Sequence, residues 1–283
     1  MDAVFLSLQS MKPSKYILLF VLFLNGFYPL FAQSKPFQTG EVIQYEIHYH
    51  WKAVWVEAGE VSFSILDTTF KDNDYYHFYS FGRSLKKWDW FYKVRDTYEA
   101  ISDKNTLKPI IFSRSVREGS DAIDEKYLFN FRKNEVYTVV KKHKEALLID
   151  TVKIKSQTYH PLSMIYYDRC IDFSKYKVND SIPINLMIDN SSYTTYIRYL
   201  GKETIKSRNY GEVSTIKFSA LLLEGSIFKG GENMFVWVTD DNNKIPVEIK
   251  SEIRVGSIQA SLLSYKGLKF KSDLTKTKKW IPD

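Results

Sequence analysis

The sequence has a single cysteine among its 283 residues, which excludes an internal disulfide framework and a four-thiolate zinc site. It is also poor in the residues that favour linkers and collagen-like segments, with 12 glycines and 8 prolines. Aromatic residues, by contrast, are abundant, with 20 Tyr, 19 Phe and 6 Trp. Since aromatic residues are enriched in strands and 44% of the chain is hydrophobic, the composition predicts a globular, strand-rich protein.

The sequence lacks the short motifs of common catalytic sites. It has no G-x-x-x-x-G-K-[ST] phosphate loop, no G-x-S-x-G nucleophile elbow and no H-E-x-x-H zinc helix. Cys170 has His160 and Asp168 nearby in sequence, but ten helical residues separate His160 from Cys170 by about 15 Å along the axis. We therefore interpret Cys170 as a small buried residue and expect no enzymatic activity and no cofactor.

One long hydrophobic run is present, over residues 16–32, and Lys12 and Lys15 precede it. This is the arrangement of a secretory signal peptide, with a small residue at the end of the run. It predicts cleavage between Ala32 and Gln33. We therefore expect an exported, periplasmic protein with a signal peptide over residues 1–32.

A retained membrane anchor is the alternative interpretation of this run. Asn25, Gly26 and Pro29 interrupt the run before it reaches the ~20 apolar residues that span a bilayer, so cleavage is favoured. Translation could start at Met1 or at Met11, and in the second case residues 1–10 are an upstream extension.

The formal net charge of +7 is concentrated near the C-terminus, where residues 266–279 contain six lysines and one aspartate. The basic charge is therefore poor support for a nucleic-acid groove, and we predict no nucleic-acid partner. We interpret residues 269–283 as a basic tail. Three of its lysines and the adjacent tryptophan predict a weak, reversible contact with an anionic membrane surface, through Lys276, Lys278, Lys279 and Trp280. The alternative is a solvated terminus.

Period-two alternation dominates the mature chain, most clearly over residues 43–51, and it predicts strands with one buried face. About fourteen strands follow from this pattern, separated by polar breaks rich in Asn and Asp. They form two strand-rich halves, residues 40–155 and 180–268. No flexible linker separates the halves, so we expect a single domain over residues 33–268.

Two segments resist the strand interpretation. Residues 160–170 predict a short helix, because Pro161 suits a first helical position and apolar residues follow at helical spacing. Residues 84–92 suggest a second helix, with Ser84 as its N-cap.

The number of strands constrains the architecture. Fourteen strands ~4.8 Å apart would form a flat sheet about 65 Å wide, whereas a compact chain of this length has a radius of gyration near 18 Å. The sequence therefore predicts an all-β, mostly antiparallel fold whose curved sheets form an open barrel or a sandwich. An outer-membrane β-barrel is the alternative, but the strands are shorter and less even than that class requires.

Two short groups of residues invite a metal-binding interpretation. His48 and His50 lie on one face of a strand, but no third ligand is near in sequence, so a solvated polar face is favoured. Asp240, Asp241 and Asn242 resemble the start of a calcium loop, yet the glycine of the sharp turn is missing, so a hairpin turn is favoured. The sequence thus predicts no metal site.

Several residues along the mature chain occur in a pattern known from one family. They are Gly40, Glu41, Tyr45, Ala58, Gly59, Phe235–Asp241, Ile245, Pro246, Gly256 and Gly267. With these residues the chain resembles the bacterial domain-of-unknown-function family 3108 over residues 37–267. The resemblance implies an exported, strand-rich protein and supplies no catalytic or ligand residues.

Two functions of different classes are compatible with these features. The first is a binding module whose concave face holds an apolar or lipid-like ligand, an idea that fold-level analogy with periplasmic lipid carriers also suggests. The second is a structural or assembly protein of the cell envelope that uses sheet edges to contact a protein partner. For the binding module, we expect five aromatic residues near the mouth of the ligand site: Trp51, Trp55, Trp88, Trp90 and Phe91. Ordinary packing in the core and at its rim is the alternative interpretation of these residues.

Overall fold

The structure is a computed structural model that describes residues 34–52, 54–70, 72–222, 230–253 and 255–277. The predicted signal peptide and its cleavage site therefore lie outside the described residues. The part from Lys35 onward belongs to one compact unit.

Strands account for most of this unit, and the alternation in the sequence explains why. Along the first strand, Ile43 and Tyr45 are 3% exposed while Gln44 between them is exposed. The strands of the described residues are, in chain order, β1 (Val42–Trp51), β2 (Val54–Phe70), β3 (Asn73–Ser84), β4 (Arg95–Asp103), β5 (Pro109–Glu118), β6 (Asp121–Asn130), β7 (Glu135–Lys142), β8 (Leu148–Lys153), β9 (Thr158–Tyr159), β10 (Ser181–Ile188), β11 (Ser191–Ser207), β12 (Gly211–Leu222), β13 (Gly231–Thr239), β14 (Pro246–Glu252) and β15 (Ser257–Lys266).

All these strands belong to one sheet in the order β8-β7-β6-β5-β4-β3-β2-β1-β15-β14-β13-β12-β11-β10-β9. The first half of the chain builds outward from β1 to β8, and the second half builds inward from β9 to β15, which pairs with β1. Among the described pairs β9–β10 is parallel and the others are antiparallel. The two strand-rich halves therefore form the two sides of one continuous sheet, joined where β1 pairs with β15.

The sheet must curl, because its two edge strands are consecutive in the chain. Fourteen steps of ~4.8 Å would separate β8 from β9 by about 67 Å in a flat sheet. The connection from Lys153 to Thr158 reaches at most about 18 Å. The all-β prediction of a curved, mostly antiparallel sheet is thus confirmed, as a single curled sheet instead of two packed ones.

Helix α1 (Pro161–Arg169) follows the edge strand β9 and confirms the helix predicted near residues 160–170. Pro161 occupies the first turn, where its missing N–H costs nothing. His160 is the N-cap, and its Nδ1 accepts the Leu162 N–H at 3.3 Å. Ser163 Oγ accepts the His160 N–H at 3.2 Å, which closes a capping box.

The helix supplies rings to the main core of the sheet. The Tyr166 ring stacks on Phe78 with centroids 3.9 Å apart, and the His160 ring stacks on Phe112. Both phenylalanines are fully buried, on β3 and β5. The side of the sheet that faces α1 is consequently filled by packed side chains.

The helix suggested for residues 84–92 is wrong. The segment contains a three-residue 3-10 turn, Lys86–Trp88, and is otherwise irregular. Ser84 ends β3, where its hydroxyl donates to Asp89 Oδ1 at 2.6 Å and accepts the Val94 N–H at 3.0 Å. A helix here would have no buried apolar face to stabilise it, because Trp90 is 81% exposed.

A buried ion pair connects α1 to the start of the domain. Arg169 and Glu41 are 3% and 1% exposed, and Arg169 Nη2 donates to Glu41 Oε2 at 3.0 Å. The same nitrogen donates to the Asn243 carbonyl oxygen at 2.9 Å, and the guanidinium lies 5.3 Å from the Phe37 ring centre. This pair explains one residue of the family pattern, Glu41, as architectural.

The first nine residues of the predicted basic tail are held against the body of the protein. Asn243 accepts the Phe270 N–H at 3.0 Å and donates to the Phe270 carbonyl at 3.1 Å. Further along, the Thr277 N–H donates to the Asn209 carbonyl at 2.9 Å. Lys276 is exposed, and residues 278–283, which include the other predicted membrane contacts, lie outside the described residues.

Candidate functional site

Three connections meet at one end of the sheet. They are the β1–β2 turn, the β3–β4 loop over residues 85–94, and the β14–β15 turn. The strand registers bring them together, since His50 pairs with Trp55 on β2 and with Ser257 on β15. The β3–β4 loop joins them because Ser84, where β3 ends, pairs with Gly59 near the start of β2.

This end of the sheet exposes large aromatic side chains. We call Trp55, Trp88, Trp90, Phe91 and Tyr92 the aromatic end. Trp90 and Phe91 are 81% and 76% exposed, while Tyr92 and Trp55 are 46% and 39% exposed. Four of the five predicted mouth residues, Trp55, Trp88, Trp90 and Phe91, thus lie together here. The side chain of the fifth, Trp51, lies outside the described residues.

The exposed rings stand on a loop that is tied to the sheet. The Trp88 indole N–H donates to the Glu57 carbonyl at 2.8 Å, and the Leu85 N–H donates to the Ala58 carbonyl at 3.0 Å. Asp89 pairs with Arg95 at 2.7 Å, and this hydrogen bond lowers the pKa of the Asp89 carboxyl. The loop thus holds its exposed rings in place through its own anchors.

The charge of the loop is positive. Residues 85–94 contain three exposed lysines, Lys86, Lys87 and Lys93. Asp89 is the one acidic residue of this segment. The Lys87 Nζ lies 5.6 Å from the Trp88 ring centre. Aromatic rings and ammonium groups therefore share this surface, a combination that suits the boundary between an apolar phase and water.

Directly beside the aromatic end, three potential metal ligands meet. One ligand atom each of Glu46, His48 and Glu57 lies within 4.8 Å of the other two. Glu46 and His48 are 1% and 0% exposed, whereas Glu57 is partly exposed. The sequence-based interpretation of a solvated polar face is therefore wrong for His48. His50, the second predicted histidine of that face, is exposed.

The surroundings of Glu46 and His48 are specific. Glu46 Oε1 accepts a hydrogen bond from Asn209 Nδ2 at 2.5 Å. Its second oxygen, Oε2, lies 3.8 Å from His48 Nε2 and 3.9 Å from Arg208 Nε. The His48 ring stacks on Trp55, with centroids 5.4 Å apart and planes 26° apart. The cluster is thus covered on one side by an aromatic ring and bordered on another by the β11–β12 turn.

Two other groups considered from the sequence have local structural roles. Asp241 Oδ1 accepts the N–H groups of Asn243 and Lys244 at 2.9 and 3.0 Å, so this carboxylate organises the β13–β14 turn. Burial raises the pKa of the Cys170 thiol to about 11, so the nucleophilic thiolate is scarce at neutral pH. Burial also lowers the pKa of His160, which is therefore a neutral ring of the core.

In the part of the chain that the structure describes, no helix combines the length and the apolar character needed to cross a membrane.

Comparison with known proteins gives a family and a fold. The family model described as "Protein of unknown function (DUF3108)" matches residues 44–263. A solved structure from Brucella abortus, a beta-barrel-like protein of the domain of unknown function DUF1849, is similar with a TM-score of 0.51 and 9% identity. The match covers 81% of this chain and 98% of that chain, and at this identity it shows the fold alone. No curated protein matches the sequence.

Proposed function

The chain belongs to the DUF3108 family, and we propose that it is a non-enzymatic binding module of the cell envelope that engages an apolar, lipid-like partner through its aromatic end. The observation that carries this proposal is the exposure of Trp90 and Phe91, 81% and 76%, on an anchored loop. Contiguous exposed aromatic surface of this kind marks interaction sites in soluble domains.

The two rings offer a substantial driving force. A large aromatic side chain presents about 200 Å², so two rings that are four-fifths exposed present roughly 300 Å². At ~25 cal/mol per Å², their complete burial would contribute up to about 8 kcal/mol before the costs of association are subtracted. A residual binding energy of half that size, about 4 kcal/mol, gives millimolar affinity.

The partner binds at the aromatic end and not inside the curled sheet. The rings of Tyr166 on α1 and of its N-cap His160 pack against Phe78 and Phe112, so the side of the sheet facing α1 is occupied by the protein itself. This shifts the binding surface from the concave face expected from the sequence to the exposed mouth residues. The lysines of the loop favour a partner with anionic groups beside its apolar part.

A role in envelope assembly is the second candidate, and the edge strand β8 favours it. Leu148 and Ile149, the first two residues of this strand, are 48% and 53% exposed, and Leu147 just before it is 54% exposed. An exposed apolar edge can pair with a strand of another protein. A stoichiometric protein partner that is lost on Ile149→Lys would support this candidate.

Two measurements test the main proposal. Organic extraction and mass spectrometry of protein purified from the native envelope should release a co-purifying lipid. Mass mapping of the same protein should give Gln33 as its first residue, whereas intact residues 16–31 in the envelope form would contradict export with cleavage.

A binding assay with a matched control locates the surface. We expect the double substitution Trp90→Ala and Phe91→Ala to abolish co-sedimentation with phosphatidylcholine–phosphatidylglycerol vesicles while leaving the melting temperature nearly unchanged. The control Leu66→Ala and Phe70→Ala removes two apolar residues, 46% and 47% exposed, at the opposite end of β2. Equal losses in both double variants would contradict the proposed location, and undiminished binding of the first would refute it.

A further inference from the structure

We propose that Glu46, His48 and Glu57 bind one divalent transition-metal ion, with Zn²⁺ as the representative ion. The three ligand atoms lie within 4.8 Å of one another, and two of the three side chains are at most 1% exposed. Among the described residues, this is where three such donor groups come together. The inference is independent of the proposed lipid-like partner.

A β-bulge creates this arrangement. Ile47 pairs with Gly59, and a regular antiparallel register would then place Ala58 opposite His48 and Glu57 opposite Tyr49. The register shifts at this point, so His48 pairs with Glu57 instead. Directly opposed residues lie on the same face of a sheet, whereas Tyr49 lies on the other face. The extra residue, Ala58, therefore brings Glu57 to the face that His48 shares with Glu46.

The bulge is maintained by its neighbours. A side chain at Gly59 would place its Cβ 2.5 Å from the Arg83 carbonyl oxygen, so the close approach of β3 requires glycine. The β3–β4 loop binds the bulged segment through the Ala58 and Glu57 carbonyls. Two residues of the family pattern, Ala58 and Gly59, thus have a direct role in building the cluster.

The spacing of the donors is close to that of a bound ion. Ligands about 2.1 Å from a tetrahedral metal lie about 3.4 Å from one another. His48 Nε2 and Glu46 Oε2 are already 3.8 Å apart, and one oxygen of the Glu57 carboxylate lies within 4.8 Å of a ligand atom of each. Closing the widest of these separations requires a contraction of at most about 1.4 Å. Glu57, which is partly exposed, can supply it by rotating its side chain.

The groups around the donors match those that orient metal ligands. Asn209 holds Glu46 Oε1, so the carboxylate presents Oε2 towards His48. Stacking on Trp55 fixes the plane of the imidazole. The two carboxylates carry two formal negative charges that a divalent ion neutralises, and Arg208, 3.9 Å from Glu46 Oε2, is the cation it would displace from that oxygen.

The donor set selects the class of ion. An imidazole nitrogen with two carboxylates suits zinc and related first-row ions, whereas Ca²⁺ and Mg²⁺ favour sites made of oxygen donors alone. The His77–Glu99 pair, 2.8 Å apart and partly exposed, has an imidazole and one carboxylate and serves as an internal control.

Titration of the chelator-treated, full mature chain with Zn²⁺ tests the proposal. We expect one ion per chain by calorimetry and elemental analysis, a higher melting temperature with Zn²⁺, and d–d absorption bands when Co²⁺ replaces Zn²⁺. His48→Ala and Glu57→Gln should each weaken binding at least tenfold. His77→Ala and His50→Ala should leave it unchanged.

The variants keep the outcome decisive. Should His48→Ala fail to fold, Glu57→Gln still tests the site, because Glu57 is partly exposed and glutamine has the same shape. A wild-type chain that takes up no stoichiometric Zn²⁺ overturns the proposal. Binding that survives Glu57→Gln unchanged, or that is lost in His77→Ala or His50→Ala, also overturns it by placing the ion elsewhere.

Discussion

Asp168 near the end of α1 makes the stability of the fold dependent on pH. The side chain is 8% exposed, and its Oδ1 has no hydrogen-bond partner among the described residues. Burial raises the pKa of this carboxyl from 3.8 to about 8, so the folded protein keeps it protonated at neutral pH. The substitution Asp168→Asn removes the titration and retains the shape of the side chain.

The sign of the effect follows from proton binding. The folded protein binds this proton more tightly than the unfolded chain, so the contribution to stability is fully present below about pH 4 and is lost as the pH rises towards 8. Each pKa unit corresponds to ~1.4 kcal/mol, so a shift of about four units sets an upper limit near 6 kcal/mol. Relaxation of the surroundings lowers this, and we expect about 2 to 3 kcal/mol.

Urea unfolding of both proteins at about pH 5 and about pH 8 measures this difference. We expect Asp168→Asn to gain stability relative to wild type as the pH rises. Asp172→Asn is the matched control, because a hydrogen bond from Ser174 lowers the pKa of that carboxyl, which is therefore ionised at both pH values and should give the same difference from wild type at each. The reasoning is refuted if the difference between Asp168→Asn and wild type is the same at both pH values.

Three further predictions concern the aromatic end, the buried ion pair and the C-terminal segment. Trp88→Ala should lower stability by about 2 kcal/mol because it removes packing and an indole hydrogen bond, whereas exposed Trp90→Ala should change it by less than about 0.5 kcal/mol; thermal melts that rank them in reverse would contradict the assigned exposures. Glu41→Gln leaves the Arg169 charge buried without its ion-pair partner and should cost about 3 to 5 kcal/mol in urea unfolding, and a loss below about 1 kcal/mol would show that the pair is dispensable. A chain ending at Thr277 keeps the packed segment and should lose part of its low-salt binding to anionic vesicles; full retention would show that residues 278–283 make no membrane contact.

Much of the secondary structure could be predicted from the sequence because it depends on local properties. Alternation along residues 43–51 predicted β1, and Pro161 with helical spacing predicted α1. The same reasoning failed at residues 84–92, where aromatic residues at helix-like spacing suggested a helix. Whether such residues are buried depends on the packing of distant strands, and Trp90 has no such packing.

The curl of the sheet was also accessible from the sequence, because too many strands for a flat sheet were packed into one compact chain. The order of the strands could not be predicted from the sequence, because the pairing of β1 with β15 joins residues more than 200 positions apart. Loop closure over such distances has no local signature.

The sequence by itself indicated an all-β chain, the helix near residues 160–170, the family, and five aromatic residues as candidates for a binding surface. The tertiary structure decided which of those aromatics face solvent and which groups meet beside them. His48 was visible as a candidate ligand, but its partner Glu57 comes to the same face through one bulged residue, Ala58. A shift of one residue in register exchanges the faces of a strand, so this constellation arises from the pairing of β1 with β2 and not from the spacing of its residues in the chain.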